Sequence, residues 1–405
     1  MSVDRLHARG SALSVLEPSL RAAFATLPDI KGGSLRVRLA DGRTLAFGDG
    51  LGPCAELAVH DYRFARRVLF SGDIGFAEGW VEGEWSSPDL ITLLSLLAKN
   101  VERLAGAFRG GAVGWLANRL SHLGRANTRK GARRNIIAHY DLGNAFFAAW
   151  LDPSMTYSSA RFVEAGADLA SAQAEKYRAI ARHAQLKGGD HVLEIGCGWG
   201  GFAEIAAREF GARVTALTLS DEQFAYAQAR MQRAGLADRV SVRRQDYRDV
   251  QGPFDAVVSI EMLEAVGEAY WPAYFGKIAE VLRPGGRAAV QTITIRDDLF
   301  EDYRRRADFI QRYVFPGGML PSLARLREEA AAAALQWQGF DAFGRDYDRT
   351  LSLWFAAFEA NWPRISAQGF DERFRRLWLF YLAYCIAGFR TGRIDVIQLA
   401  LTKPL

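Results

Sequence analysis

The amino-acid sequence predicts an α/β protein with a parallel sheet, helical insertions and a small α+β domain in front of it. From Asp190 onward, short apolar strands alternate with helices, a pattern typical of a parallel sheet. The chain has 405 residues, more than one compact core usually holds, so we expect two domains. Hydrophobic residues make up 49% and charged residues 24%, which excludes a disordered or fibrous chain.

We assign the small first domain to residues 1–100. Its predicted elements are a hairpin of 34–39 with 44–47, and helices around 60–70 and over 89–99. The hairpin rests on alternating apolar and polar residues and on Asp41-Gly42, a typical turn pair. The aromatic residues of the glycine- and tryptophan-rich stretch 75–85 either pack the core or line a lipid groove. We favour core packing.

A basic linker is expected at residues 101–134. Between Arg103 and Asp141 there is no acidic residue, but eight lysines and arginines. Each cation near a charged leaflet contributes on the order of 1 kcal/mol to binding, so an anionic membrane surface is the favoured partner. A solvated linker is the alternative. Nucleic acid is not expected, because no recognition motif accompanies the charge.

Several other classes of protein are disfavoured. The longest apolar run, 377–389, is shorter than the ~20 residues that a membrane-spanning helix needs. Residues 1–21 lack the uninterrupted apolar stretch of a secretory signal. Three scattered cysteines, Cys54, Cys197 and Cys385, do not make a disulfide framework, and no histidine pair has metal-ligand spacing. We therefore expect a cytoplasmic protein without a metal site.

The second domain carries the α/β pattern. Its predicted strands are 191–196, 214–219, 254–260 and 286–295. Helices are expected from about Gly201 and over 221–235, then an irregular aromatic insertion at 297–322 and further helices at about 323–378. The segment DVIQLALTK near the C-terminus is expected to be a closing antiparallel edge strand.

A glycine turn, residues 196–201, joins the first strand of this domain to a helix. Glycine there lets the backbone pass close to a ligand, as in Rossmann-like folds. A dinucleotide site would have an acid at the end of the second strand, but that strand ends in Thr218-Leu219-Ser220. Glu194 before the glycines and the segment 282–286 instead match methyltransferases that bind S-adenosylmethionine. A plain nucleotide-binding domain is the alternative.

Eight segments, in order, resemble the cyclopropane-fatty-acyl-phospholipid synthases. They are HYDLGNAFFAAWLDPSMTYSSA (139–160), VLEIGCGWGG (192–201), TLSDEQ (218–223), QDYRD (245–249), SIEMLEAVG (259–267), RYVFPGGMLPS (312–322), DYDRTL (346–351) and ERFRRLWLFYLAYC (372–385). The resemblance implies a Rossmann-like class I methyltransferase domain at 135–405. It also implies S-adenosylmethionine as methyl donor, S-adenosylhomocysteine as product, and the double bond of an unsaturated acyl chain in phospholipid as acceptor.

The resemblance further implies a set of cofactor-contacting positions. They are Tyr157, Ser158, Glu194, Gly196, Gly198, Gly200, Thr218, Leu219, Gln223, Asp246, Tyr247 and Ile260. For each residue alone, packing is the competing interpretation. Because the whole set is in register with the motifs of the family, we interpret these residues together as contacts to the methyl donor.

The chemistry demands a base. An alkene is a weak nucleophile, so the donor methyl must be held in line with it in a water-poor cavity. Attack leaves a carbocation, which must lose a proton: from the new methyl to close a cyclopropane, or from a neighbouring carbon. In the family, that base is thought to be bicarbonate, held by Cys, Glu, His, Ile and Tyr. Glu264, Ile293 and Tyr347 match three of these positions.

Two positions depart from this pattern. Ser159 stands in place of the cysteine and Gln291 in place of the histidine. Glutamine cannot carry charge or shuttle a proton, so bicarbonate binding in the usual manner is in doubt. Either cyclopropanes are still made, or deprotonation is rerouted to a methyl-branched, methylene or furan-precursor chain. We favour the rerouted product; a non-catalytic lipid-binding protein and a methyltransferase of a soluble metabolite are the alternatives from other classes.

Three further expectations concern Cys385, the arginines of the insertion and the oligomeric state. Cys385 matches a cysteine once proposed as catalytic in the family, but no nearby cation is evident to lower its pKa, so a buried structural thiol is preferred. The arginines of the 297–322 insertion either meet lipid phosphate or form a solvated face. Relatives suggest a homodimer. Together with the linker, this predicts a peripheral protein on the inner face of the cell membrane.

Overall fold

A computed structural model describes residues 16–104, 142–164 and 166–405. These residues form two compact units. The first unit contains 16–104 together with Arg306–Tyr313 and Gly369–Thr391, and the second contains the other described residues. The first unit therefore takes segments that the sequence assigned to the second domain.

Some of the sequence predictions concern residues that the structure does not describe. Of the basic linker expected at 101–134, residues 105–134 lie outside the described residues, as do residues 1–15. Among the helices that are described, none combines the length and apolar composition that crossing a bilayer requires.

The described chain alternates helices and strands. Its helices are α1 (Pro18–Phe24), α2 (Arg63–Val81), α3 (Leu90–Lys99), α4 (Asn144–Phe147), α5 (Leu169–His183), α6 (Gly201–Glu209), α7 (Asp221–Arg233), α8 (Leu263–Val266), α9 (Trp271–Val281), α10 (Asp297–Tyr303), α11 (Phe309–Tyr313), α12 (Leu323–Ala332), α13 (Gly344–Ala360), α14 (Trp362–Ser366) and α15 (Glu372–Arg390). Its strands are β1 (Ser34–Arg38), β2 (Thr44–Gly48), β3 (Cys54–Val59), β4 (Trp85–Ser86), β5 (His191–Ile195), β6 (Arg213–Thr218), β7 (Val240–Arg244), β8 (Phe254–Ile260), β9 (Leu282–Ile295), β10 (Gln336–Ala342) and β11 (Ile394–Thr402).

The first unit is a small α+β structure. Its four-stranded sheet has the order β2-β1-β3-β4, and the predicted hairpin is confirmed as the antiparallel β1–β2 pair. The tryptophan and phenylalanine side chains of the 75–85 stretch are buried, and the Trp85 indole N–H donates to the Phe76 carbonyl at 2.8 Å. Their rings lie 4.3 Å apart, so these aromatic residues pack the core, as favoured.

The second unit contains a seven-stranded sheet in the order β10-β11-β9-β8-β5-β6-β7. Strands β5 to β9 are parallel, and β10 and β11 are antiparallel. Alternate residues of β5 face opposite sides: Val192 packs in one core with Phe202 of α6, and Leu193 in another with Phe275 of α9. Helices cover both faces, which leaves the carboxyl ends of β5, β6 and β8 as the edge where a ligand can bind.

The structure corrects three sequence predictions. Residues 336–342, expected to be helical, form strand β10. The antiparallel strand near the C-terminus is therefore not an edge, because β11 lies between β9 and β10. Strand β10 has a register shift between Trp337 and Gly339, which weakens its alternation of apolar and polar residues, and it directly follows an alanine-rich helix. The insertion at 297–322 is not wholly irregular, since it contains α10 and α11.

Candidate functional site

The glycine turn after β5 has the geometry of a ligand cradle. Gly196, Gly198 and Gly200 all have positive φ, at 82°, 52° and 84°, a region that favours glycine. A Cβ atom added to Gly198 would meet no protein atom within 4 Å, so open space borders the backbone there. Gly200 is the left-handed residue that starts α6. The turn therefore presents bare backbone to a molecule bound at the end of β5.

Glu194 lies in β5 just before this turn. Its side chain is 2% exposed, and its Oε2 atom has no hydrogen-bond partner among the described residues. Burial raises the pKa of Glu194 to about 8, against the opposing effect of Lys176 and Arg230. A buried carboxyl group with one unpartnered oxygen suits the ammonium group of an amino-acid-bearing ligand such as S-adenosylmethionine.

The predicted cofactor residues of β6 and β8 stand at the carboxyl ends of these strands. The Thr218 hydroxyl donates to Gln223 Oε1 at 2.9 Å, which ties the end of β6 to the first turn of α7. Leu219 follows β6 directly, and Ile260 is the last residue of β8. No acid ends β6, in keeping with the sequence argument against a dinucleotide.

Asp246 and Tyr247 follow β7. Asp246 accepts from the Arg248 backbone N–H at 3.0 Å and pairs with its guanidinium at 2.6 Å. The Tyr247 ring lies 5.7 Å from the Tyr274 ring, and burial raises the pKa of Tyr247 to about 12. These contacts order the loop that the resemblance assigns to adenine.

Helix α13 positions the segment that carries Tyr157, Ser158 and Ser159. Thr350 accepts from the Ala160 backbone N–H at 3.1 Å, and the Trp354 ring lies 5.3 Å from the Tyr157 ring. These two residues are four apart in α13 and so share one face of the helix. The Tyr157 ring also lies 5.3 Å from Phe147, which places it in an aromatic cluster.

Glu261, which the sequence analysis did not single out, is the centre of a cluster formed by three of the predicted catalytic residues, Ser159, Gln291 and Tyr347. Its Oε1 atom accepts from the Ser159 backbone N–H at 2.8 Å and from Gln291 Nε2 at 2.7 Å. Its Oε2 atom accepts from the Tyr347 hydroxyl at 2.7 Å. Three of the five positions that the resemblance assigns to bicarbonate thus converge on a carboxylate that belongs to the protein. The available signal was an acid directly after β8, at the ligand-binding edge of the sheet.

The backbone of Glu261 is strained. Its φ is 49°, in the left-handed region that a non-glycine residue adopts at a cost of about 1 kcal/mol. The Glu261 N–H donates to the Gln291 carbonyl at 2.8 Å, which helps hold this conformation. Such strain clusters at functional sites, where it aims a side chain.

Glu264, the predicted catalytic acid, lies one turn further along. Its Oε1 atom accepts from the Thr292 hydroxyl at 3.0 Å and from the Ile293 backbone N–H at 2.5 Å. Its Oε2 atom is buried and has no hydrogen-bond partner among the described residues. Burial, together with the nearby Glu261 charge, raises the pKa of Glu264 to about 8, so it is largely protonated at neutral pH.

The two carboxyl groups differ in their surroundings. Burial also raises the pKa of Glu261, but Lys176 and the donors Tyr347, Ser159 and Gln291 oppose that effect. All three hydrogen bonds place a donor against Glu261, an arrangement that favours its ionised form. Glu261 accepts from three donors and Glu264 from two, so the surroundings of Glu261 favour the ionised form more.

Lys176 is a second residue that sequence reasoning missed. It is fully buried in α5, with Nζ 2.5 Å from the Ser158 hydroxyl and 4.0 Å from the Tyr177 ring centroid. Burial lowers its pKa to about 7, while Glu261, Asp152 and Glu194 act in the opposite direction. Lys176 is thus a buried, titratable amine beside the predicted cofactor residue Ser158.

The remaining predicted residues take other positions. The Ser159 hydroxyl donates to the Ala160 carbonyl at 3.0 Å, so it is the backbone N–H of Ser159 that serves Glu261. Cys385 belongs to α15 in the first unit, whereas the Glu261 cluster belongs to the second. Burial raises the pKa of the Cys385 thiol well above neutrality, so it is not a ready nucleophile. Within the described ranges, no group of three or more potential metal ligands is close enough to bind an ion.

The parallel sheet with its glycine turn defines a Rossmann-like, class I S-adenosylmethionine-dependent methyltransferase. A cyclopropane synthase from Mycobacterium tuberculosis has a similar structure, with a TM-score of 0.63 and 30% identity over 67% of this chain and 98% of that one. A mycolic acid cyclopropane synthase complexed with SAH and CTAB matches with the same TM-score and 31% identity, again over 67% and 98%.

The sequence comparison gives the particular family. The mycolic acid cyclopropane synthetase family model matches residues 127–399, so the chain belongs to this family. Tuberculostearic acid methyltransferase of Mycobacterium tuberculosis is 39% identical over 380 residues, 91% of this chain and 88% of the relative. Cyclopropane-fatty-acyl-phospholipid synthase of Escherichia coli K12 is 35% identical over 354 residues, 86% and 88%. The protein is an S-adenosylmethionine-dependent C-methyltransferase that acts on lipids.

Proposed function

We propose that this enzyme methylates the double bond of an unsaturated fatty acyl chain in membrane phospholipid and releases a C-methylated, non-cyclic chain. The observation that carries this proposal is the Glu261 carboxylate. It occupies the point on which Ser159, Gln291 and Tyr347 converge, where the resemblance implies a bicarbonate ion.

A second anion is disfavoured beside Glu261. Two unit charges 4 Å apart repel by about 4 kcal/mol at an effective dielectric constant of 20. The three donors that would compensate a bicarbonate ion are already directed at Glu261. The base in this enzyme is therefore a side chain fixed to the protein rather than an exchangeable ion.

The chain's own residues divide the chemical work. S-adenosylmethionine, when bound, supplies an electrophilic methyl group. Transfer of that methyl group to the alkene would form the new C–C bond with the π electrons while the methyl–sulfur bond breaks, so that S-adenosylhomocysteine would leave with the sulfur electrons and a carbocation would remain on the acyl chain. Glu261 stabilises that cation and accepts the proton whose C–H electrons form the new double bond. Glu264, held protonated nearby, adds no second negative charge.

The position of the base decides the product. Ring closure requires the loss of a proton from the new methyl group. A non-cyclic product requires the loss of a proton from another carbon, or a rearrangement of the cation before a proton is lost. A tethered carboxylate reaches only the C–H bonds that its backbone allows. The relative with 39% identity over 91% of the chain is named a methyltransferase of tuberculostearic acid, which supports the non-cyclic outcome.

The product formed from one substrate tests this proposal. The enzyme is incubated with vesicles of a monounsaturated phosphatidylglycerol and a donor that carries a CD3 group. The acyl chains are then analysed by mass spectrometry and proton NMR. We expect an alkene that carries the new carbon, either as a CD3 branch or as a CD2 methylene group. A saturated three-membered ring with a CD2 bridge would contradict the proposal.

We also propose that the enzyme works as a peripheral protein at the anionic inner face of the cell membrane, as a homodimer. The basic composition of residues 101–134 supports the membrane site. The arginines of the insertion support it less, because Arg304 pairs with Glu268 at 2.7 Å and Arg305 with Glu301 at 3.2 Å. We compare variants of the linker cations with variants of Arg304–Arg306 by vesicle sedimentation at increasing salt. This experiment separates the contributions of the two regions to membrane binding. Analytical ultracentrifugation measures the oligomer.

A further inference from the structure

A fully buried glutamine, Gln398, lies directly behind the catalytic cluster. It belongs to β11 and is the register partner of Gln291 in β9. Both side chains are 0% exposed, and Gln398 Nε2 donates to Gln291 Oε1 at 2.9 Å. Neither side chain can therefore exchange its partners for bulk water, and the orientation of one amide constrains the other.

Two groups that cannot change role fix the orientation of the Gln398 amide. Its Nε2 atom donates to the backbone carbonyl of Lys176 at 3.0 Å, and a carbonyl can only accept. Its Oε1 atom faces Arg161 Nη1 at 3.5 Å, and a guanidinium can only donate. With the amide reversed, the Gln398 oxygen would face the Lys176 carbonyl oxygen, and the Gln398 N–H groups would face the Arg161 guanidinium. Only one orientation of Gln398 satisfies both neighbours.

The orientation of Gln398 in turn decides that of Gln291. Because Gln398 presents an N–H to Gln291, the Gln291 oxygen faces Gln398, and its Nε2 must face Glu261. A reversed Gln291 would direct its oxygen at Glu261 Oε1, and the donor at 2.7 Å would be replaced by a repulsive acceptor. A glutamine at position 291 serves the site only while something outside the cluster orients it.

We propose that Gln398 is a positioning residue for the reaction, acting through Gln291 to keep a donor against Glu261 and so to keep that carboxylate ionised. The inference rests on the proposed function, in which Glu261 is the base. Gln398 touches neither reacting atoms nor Glu261 itself. Its effect passes through two side-chain amides, Gln398 and Gln291, which connect the Lys176 carbonyl and the Arg161 guanidinium to Glu261.

The expected signature is a change in pH dependence. Glu261 must be ionised to accept a proton, so activity is lost as the pH falls through its pKa. Loss of the Gln291 donor raises that pKa, and the acid limb moves to higher pH by about one unit. The charged and titratable groups that face Glu261 are Lys176 from α5, Glu264 from α8 and Tyr347 from α13, and all three remain in place.

The experiment compares pH profiles of kcat/KM for the wild type, Gln398→Glu and Gln398→Met on the same phospholipid vesicles. Gln398→Glu keeps the shape but presents acceptors to Gln291, so its acid limb should move furthest. Leu399→Ala is the matched control: it removes a buried side chain from the next position of β11, in the hydrophobic core. It should lower the melting temperature without moving the acid limb.

A double-mutant cycle tests whether the effect passes through Gln291. In a Gln291→Met background, Gln398→Met should move the acid limb no further. An equal shift in both backgrounds, or no shift in either Gln398 variant, would overturn the proposal. If both Gln398 variants fail to bind S-adenosylhomocysteine, Arg161→Met, at a partly exposed position, removes one of the two orienting groups, and an unmoved limb there would overturn it too.

This result is separable from the product analysis. A wild-type enzyme that makes cyclopropanes would refute the proposed function whatever the Gln398 variants do. A non-cyclic wild-type product together with unmoved pH profiles would refute the positioning role alone.

Discussion

The hydroxyl group of Tyr347 donates a hydrogen bond of 2.7 Å to Oε2 of Glu261. Tyr347 comes from α13 and Glu261 from the turn between β8 and α8, so the contact joins two segments 86 positions apart. A phenol that donates to a carboxylate favours the ionised form. The contact therefore prepares Glu261 to act as a base.

Tyr347→Phe tests this contact. We expect kcat/KM to fall about tenfold and its acid limb to move to higher pH, because the ionised form of Glu261 loses one of three donors. The measurement is the pH profile with phospholipid vesicles. Tyr226→Phe, a partly exposed tyrosine beside Arg233 in α7, is the control and should leave the profile unchanged. An unmoved limb in Tyr347→Phe would remove this role.

Glu261→Gln tests the base itself. The amide keeps the shape of the side chain but accepts no proton, so turnover should fall by about 10² to 10⁴-fold. Binding of S-adenosylhomocysteine, measured by calorimetry, should remain. Glu280→Gln, an exposed acid paired with Lys277 at 2.8 Å, is the control. Substantial activity in Glu261→Gln would assign the base elsewhere, with Glu264 the first candidate.

Glu261→Gly tests the replacement of bicarbonate. Glycine adopts a φ of 49° without strain and leaves the donors of Ser159, Gln291 and Tyr347 facing a vacant space. We expect bicarbonate to stimulate this variant and to leave the wild type unaffected. Assays in bicarbonate-depleted buffer with additions up to several millimolar give the comparison. Equal stimulation of both enzymes would show that the wild type binds the ion.

Lys176→Met tests, through stability, whether burial lowers the pKa of Lys176. The pKa of Lys176 is lowered from 10.5 to about 7, so the unfolded state binds the extra proton between these values. The wild type therefore gains stability as the pH rises from about 7 to 10.5, by at most about 1.4 kcal/mol per pH unit. The same gain is lost as the pH falls from 10.5 to about 7, and below about 7 Lys176 adds no further pH dependence.

Denaturant unfolding at several pH values measures this effect. The stability of Lys176→Met relative to the wild type should be highest near pH 7 and should decline toward pH 10. Lys187→Met, at an exposed position, is the control and should show no such trend. A difference that does not vary with pH would mean that Lys176 keeps its ordinary pKa in the folded protein.

Gly198→Ala tests the cofactor cradle. A methyl group there meets no protein atom within 4 Å but enters the open space beside the turn, at a φ of 52°. We expect affinity for S-adenosylhomocysteine to fall at least about tenfold. Gly189→Ala is a matched control, because it also has positive φ and open space but lies outside the turn. Equal loss of affinity in both variants would attribute the effect to backbone strain.

The sequence by itself determined the class of protein and most of the sheet. Strands such as Phe254–Ile260 and the glycine turn follow from local patterns, because alternation, apolar runs and positive-φ glycines are properties of neighbouring residues. Strand β10 was not predicted, because its alternation is interrupted by a register shift. Alignment with the motifs of the family also assigned Ser159, Gln291 and Tyr347 to one predicted catalytic group.

Only the tertiary structure decided what that group surrounds. In the sequence, Glu261 is one more acid after a predicted strand, Gln398 is an interior residue of another predicted strand, and Lys176 lies in a stretch with no predicted element. Their importance comes from hydrogen bonds between residues far apart in the chain, 102 positions for Ser159 and Glu261 and 107 for Gln291 and Gln398. A linear pattern records neither the direction of an amide nor the burial of a charge, because both depend on which segments fold against each other.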